Sequence, residues 1–251
     1  SGTFKKHFSV FLFVRSSYVM KNKTKNRLMI GCTVLLGVIG STVGPLAAAA
    51  SAASRQVVGV QTYGSTYGEL SARWWQWAFS IPQAINPISD SSGANCAQGQ
   101  VDDVWFLAGS WGGLPVTRWC SIPAGKPIFF PLINNVAFKP AGSETLLSLR
   151  QLAAGFVDSV TKLTCKIDYV DCADQWSSFR VRSPSFSVIA PPKGMVPPGN
   201  LSVPGNTDPL VSDGYWLLLS PLAPGVHVLH FGAETSVGFT VDVTYNLTIA
   251  P

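Results

Sequence analysis

The chain has 251 residues, with 18 Lys or Arg against 13 Asp or Glu, a formal charge of +5. Seven of the basic residues precede residue 54 and every acidic one follows it, so the remainder holds 11 basic and 13 acidic groups, a net charge near −2. With no Lys/Arg cluster in that remainder, composition excludes the electrostatic footprint of a nucleic-acid binder.

The first recognisable element begins at Met20. Lys21 to Arg27 forms a basic stretch, Leu28 to Ala50 an apolar run, and Ala50-Ser51-Ala52 an A-x-A site. This pattern predicts a secretory signal peptide over residues 20–53, with residues 1–19 as upstream sequence that is not part of the natural product. The run is long enough to cross a bilayer, but its second half of Gly, Ser, Pro and Ala suits cleavage better than retention. Cys32 has a lipoprotein-like setting, yet too few apolar residues lie between Met20 and that Cys. The expectation is an exported chain, extracellular or periplasmic, with no membrane span after signal cleavage.

About 198 residues then remain, one domain by size, and they contain all eight Trp. They also contain four Cys: Cys96, Cys120, Cys165 and Cys172. An even number in an exported chain predicts disulfides. Of three connectivities, Cys96–Cys120 with Cys165–Cys172 is favoured, because each pair brackets a short connection. No C-x-x-C spacing supports zinc.

Residues 54–64 predict a short first strand. Thr66-x-x-Glu69 is a capping-box pattern, and Tyr67, Leu70, Trp74, Trp77 and Ile81 follow at helical spacing until Pro82 stops the helix. Trp75 and Phe79 widen the apolar face, with Trp75 as a side chain that reaches a ligand if it is not core. Residues 82–102 form a long loop tied down by Cys96. Strands are expected at 104–107, 116–120 and 127–131, separated by glycine-rich turns.

A second helix is expected over about 144–163, with Ser143 as N-cap and Leu149, Leu152, Phe156, Val160 and Leu163 as its stripe. Cys165 to Cys172 reads as a disulfide-closed loop, followed by strands near 178–182 and 185–190. The Pro/Gly-rich stretch 191–214 reads as a surface loop, and strands resume at Tyr215 to Leu219 and at Val226 to Phe231. The clearest β signal closes the chain. From Phe239 to Ile249 the odd positions are Phe, Val, Val, Tyr, Leu and Ile, whereas positions 240–248 alternate Thr, Asp, Thr, Asn and Thr. That is a strand with one buried and one wet face. The sum is a mainly β fold: a single antiparallel β-sandwich or jelly-roll-like domain, residues 54–251, with two inserted helices.

The segments Arg73-Trp-Trp-Gln-Trp77, Val104 to Gly109 and Asp213 to His227 resemble those of a group of uncharacterised secreted bacterial proteins. The resemblance covers most of residues 65–249. It implies export and a single domain, and it brings no activity, ligand or catalytic residue.

Chemistry in the sequence is sparse. Ala108-Gly-Ser-Trp-Gly112 is a degenerate nucleophile elbow with Ser110, and Asp213 and His227 supply a Ser…Asp…His order. The elbow needs a helix directly after the serine, however, and here glycines lead into a strand, as in a hairpin turn. His227 and His230 are three apart, so a regular strand points them to opposite faces and away from a shared metal. Asp168, Asp171 and Asp174 offer oxygen ligands to calcium without a D-x-D-x-D-G loop, so no cofactor is expected beyond that calcium alternative. What remains is a Trp-rich, lightly charged, disulfide-bonded β domain with long loops. That profile predicts a binding or adhesion domain with a polysaccharide or cell-surface glycan as partner and Trp111, Trp176 and Trp75 as contact residues. A secreted hydrolase, through Ser110 or acting on glycans, is the alternative.

Overall fold

A computed structural model describes residues 61–62, 64–101, 103–138, 145–173, 175–189, 191 and 206–251. The expected signal peptide, residues 1–19, Cys32, Ser143 and Asp174 lie outside the described residues, as do 54–60 of the expected first strand. No helix among the described residues is long and apolar enough to cross a membrane.

The chain begins with a small antiparallel ribbon, β1 (Gln61–Thr62) and β2 (Ser65–Thr66), leading into helix α1 (Tyr67–Ser80). The capping box forms as expected: the Thr66 hydroxyl accepts from the Glu69 N–H at 3.2 Å, and the Thr66 N–H donates to the Glu69 carboxylate at 2.7 Å. At the other end Pro82 prevents continuation. The buried Asn86 side chain donates to the carbonyls of Ala78 and Ile81, groups that a helix end leaves without intrahelical partners.

Two five-stranded sheets follow. The first holds β3 (Trp105–Phe106), β5 (Ile128–Phe138), β10 (Asn206–Leu219) and β8 (Arg180–Arg182) in that spatial order, with β9 (Phe186–Ile189) also pairing β10. The second runs β4 (Val116–Pro123), β12 (Thr240–Ala250), β11 (Gly225–Thr235), β6 (Val160–Ile167) and β7 (Val170–Asp171). Pairing is antiparallel except for β3 with β5 and β4 with β12, which are parallel. The strands around Ser110 therefore do not form the expected hairpin. β3 joins one sheet and β4 the other, and the glycine turn is a crossover between them. Gly112 is required there, since a Cβ would run into the Phe239 ring.

The main core lies between the sheets. Ile128, Phe130, Leu132, Leu217 and Leu219 from the first meet Leu229, Phe231, Val243, Tyr245 and Leu247 from the second. A further core lies on the other face of the first sheet, where α1 lays Leu70, Trp74 and Trp77 against Phe129, Trp216 and Leu218. Trp216 stacks on Phe129 at 5.2 Å and meets Trp74 edge-on at 5.4 Å. β10 is thus covered on both faces, which is why Trp216 to Leu219 is continuously apolar rather than alternating.

The second helix, α2 (Leu146–Val157), is shorter than expected and is capped by Thr145, whose hydroxyl accepts from the Ser148 N–H. Leu149, Ala153 and Val157 are buried, whereas Leu152 is exposed. Val160 and Leu163 belong to β6, because the β-branched Val160-Thr-Lys-Leu-Thr164 segment pairs with β11 once the chain has turned at Asp158 and Ser159. β10 begins at Asn206, within the expected surface loop. Its Pro209 sits where the register with β9 slips, a place that needs no backbone donor.

Both favoured disulfides are present, Cys96–Cys120 and Cys165–Cys172. The second spans a β-hairpin rather than an open loop: β6 and β7 pair across a two-residue turn in which Asp168 and Tyr169 both have positive φ. Two disulfides are the mark of an oxidising, non-cytoplasmic environment.

Candidate binding face

The outer face of the second sheet carries the features of a site. In β4, Val116, Arg118, Cys120 and Ile122 point inward, so Thr117, Trp119 and Ser121 point outward. In β12, Val241, Val243, Tyr245, Leu247 and Ile249 are buried, so Thr244, Asn246 and Thr248 share the outer face. The parallel register sets Thr117 beside Thr244, Trp119 beside Asn246 and Ser121 beside Thr248. The next strand continues these rows with His230, Val228 and Val226.

Trp119 is 62% exposed, whereas the other seven Trp are buried or half-buried. Its backbone is held firmly. The Trp119 N–H donates to Ser92 O at 2.9 Å, and Gly93 lies so close to the Trp119 backbone that no side chain fits there. Cys120 beside it is bonded to Cys96. This loop also covers the free edge of β4, which would otherwise invite another strand.

Beneath Trp119, Arg118 is almost fully buried. Its guanidinium donates to the carbonyls of Asp90 at 2.7 Å, Ile88 at 3.1 Å, Ala108 at 2.9 Å and Gly109 at 2.8 Å, and to the Tyr245 hydroxyl at 3.0 Å. It also lies over the Tyr245 ring, 5.5 Å from the centroid. The Asp90 carboxylate accepts from the N–H groups of Ser92 and Asn95. Burial works against that charge, but hydrogen bonds from Asn95, Ser92 and Gly93 outweigh it and hold the carboxyl below its ordinary range.

Charges on the outer face pair with one another. Lys162 meets Glu234 at 2.7 Å, Lys166 meets Asp171 at 3.1 Å and His230 meets Asp242 at 3.0 Å. The Glu234 hydrogen bond raises the Lys162 pKa.

The contact residues expected from sequence lie elsewhere. Trp75 is buried in the core under α1, against Trp74 and Phe79, which corrects the expectation of an accessible ring. Trp111 is half-buried against that same core, with its indole N–H 3.3 Å from Ser89 Oγ, and Trp176 packs on the core between the sheets.

Ser110, Asp213 and His227 have separate partners. The Ser110 hydroxyl accepts from the Gly112 N–H. Asp213, buried on β10, holds Arg180 through both oxygens at 3.0 and 3.1 Å and Arg182 at 3.3 Å. The Asp213 hydrogen bonds hold the Arg180 guanidinium above its ordinary range. His227 lies between Asp168 and the Ala223 carbonyl. Asp168 is engaged by His227 and the Val228 N–H, and Asp171 by Lys166. Among the described residues no three His, Cys, Asp or Glu side chains converge as a metal site.

Sequence reasoning missed Trp119, although a signal was present. The alternation that turns Val116, Cys120 and Ile122 inward turns Trp119 outward, next to a disulfide. The chain matches no family model, no curated protein and no solved structure.

Proposed function

We propose that this chain is an exported binding or adhesion domain, extracellular, periplasmic or at the cell surface. Its jelly-roll-like pair of sheets holds a polysaccharide on the open face of the second. One observation carries the reading: the single well-exposed indole, Trp119, stands among the Thr, Ser and Asn side chains that β4 and β12 present on the outer face. An indole offers an apolar surface for the C–H side of a sugar ring, while hydroxyl and amide side chains both donate and accept, as sugar hydroxyls do. The loop and disulfide behind Trp119 hold its backbone in place, which limits the backbone entropy lost on binding. The signal-peptide pattern and the two disulfides support export.

Retention of the chain in affinity gels containing a panel of polysaccharides tests the reading. Wild type should be retarded by at least one of them. Trp119→Ala should weaken that binding about tenfold or more, the size expected when an aromatic anchor is removed. Ile189→Ala, exposed on the first sheet, is the control and should bind as wild type. Wild-type binding by the Trp119 variant would remove this face as the site.

A further inference from the structure

We infer that the polymer bound by this face is uncharged, and that it lies on the strip formed by β4 and β12 around Trp119. The inference rests on the reading of the face as a polysaccharide site. The strip consists of Thr117, Trp119, Ser121, Thr244, Asn246 and Thr248, and none of these titrates near neutral pH. The ionisable groups of the face begin beyond it. Asp242 is two residues along β12, His230 is one strand over and opposite Thr244, and Lys166 is a strand further still. All three are already paired: His230 with Asp242, and Lys166 with Asp171.

A polyanion is served poorly by this arrangement. A carboxylate or sulfate group accepts hydrogen bonds only, and it is recognised by Arg or Lys donors. The nearest arginine, Arg118, points inward and spends its N–H groups on carbonyls and Tyr245. Lys162 and Lys166 would have to leave Glu234 and Asp171 to reach a ligand. Asp242, bonded to His230 at the end of the strip, adds a carboxylate that an anion would approach against repulsion. A polycation would find no acidic side chain on the strip itself. A hydroxyl-rich neutral polymer finds donors and acceptors along both strands and an indole between them.

The experiment compares wild type and Trp119→Ala on a neutral β-glucan, on neutral xylan and on polygalacturonate, at low salt and at about 1 M NaCl, where the Debye length is ~3 Å. Retention by a neutral polymer should change less than about twofold between the two salts, since no ion pair forms on binding. Polygalacturonate should bind at least about tenfold more weakly. Tighter binding to polygalacturonate that is lost in salt and also lost in Trp119→Ala would overturn the neutral class while leaving the face as the site. Binding that ignores the Trp119 substitution, or none to any polymer, would overturn the reading of the face and this inference with it. Asn246→Ala provides a second variant on the strip, and its effect should fall on the same polymers as that of Trp119→Ala.

Discussion

His227 sits between two acceptors: Nδ1 is 2.7 Å from Asp168 Oδ2 and Nε2 is 2.9 Å from the Ala223 carbonyl. A neutral imidazole has one N–H and can satisfy only one of them, whereas the imidazolium satisfies both. Burial opposes the charge, but the hydrogen bonds to Asp168 and Ala223, together with the Asp168 charge, outweigh it and raise the pKa above 6.5. A raised folded-state value means that the stabilisation is fully present below 6.5, and it disappears as pH rises through the folded-state value. Urea midpoints measured over roughly pH 5–8 should therefore fall for wild type towards the alkaline side, and fall less for His227→Gln. Parallel profiles for the two proteins would show that His227 does not carry the dependence. Asp90 works in the opposite sense. Its lowered pKa contributes stability above the usual carboxylate value, lost only as pH falls through the folded-state value.

β12 and β10 show how a strand's surroundings are written in its residues. β12 has the core on one side only, and its buried and wetter positions alternate without a break. β10 lies under α1 on one face and over the second sheet on the other, and its apolar residues run together. Val243→Ala should cost about 1–3 kcal/mol through lost burial and a cavity. Thr244→Ala, one residue away on the open face, should cost about 0.5 kcal/mol or less. Denaturant melts of the two variants measure this directly, and equal losses would mean that both faces of β12 are covered. The strand was legible because period two over eleven residues has no helical interpretation. α2 was legible only in part: Leu149, Leu152, Phe156, Val160 and Leu163 fit a helical stripe, and Val160 and Leu163, three apart, both reach the core from a strand only because its register with β11 slips between them. Pairing with β11 decided between helix and strand, and that partner lies some seventy residues away.

Across the whole molecule, two sheets, two helices and both disulfides could be read from periodicity and cysteine spacing. The packing of β3 and β4 into different sheets could not, because a glycine turn between short strands looks the same whether it closes a hairpin or crosses a core. For the same reason the site was sought on loop tryptophans, and Trp119 was passed over as one residue of a hairpin strand. Arg118 escaped notice too, as a basic residue at an inward position of an otherwise apolar alternation. Its role explains how the parts hold together. From the second sheet it reaches the carbonyls of Ile88 and Asp90 in the long loop and those of Ala108 and Gly109 after β3, as well as the hydroxyl of Tyr245. Arg118→Met would leave these buried carbonyls without their donor, at a cost of about 3 kcal/mol or more. Arg118→Lys should recover only part of that, because an ammonium on a flexible stem does not reproduce the planar fork. Denaturant unfolding of the three proteins measures the order wild type, then Lys, then Met. If Met lay within about 0.5 kcal/mol of wild type, the loop and the crossover would be held by the Cys96–Cys120 bridge and aromatic packing instead. If the order holds, Arg118 helps to anchor the loop at Ile88 and Asp90, and that loop in turn meets the Trp119 backbone through Ser92 and Gly93.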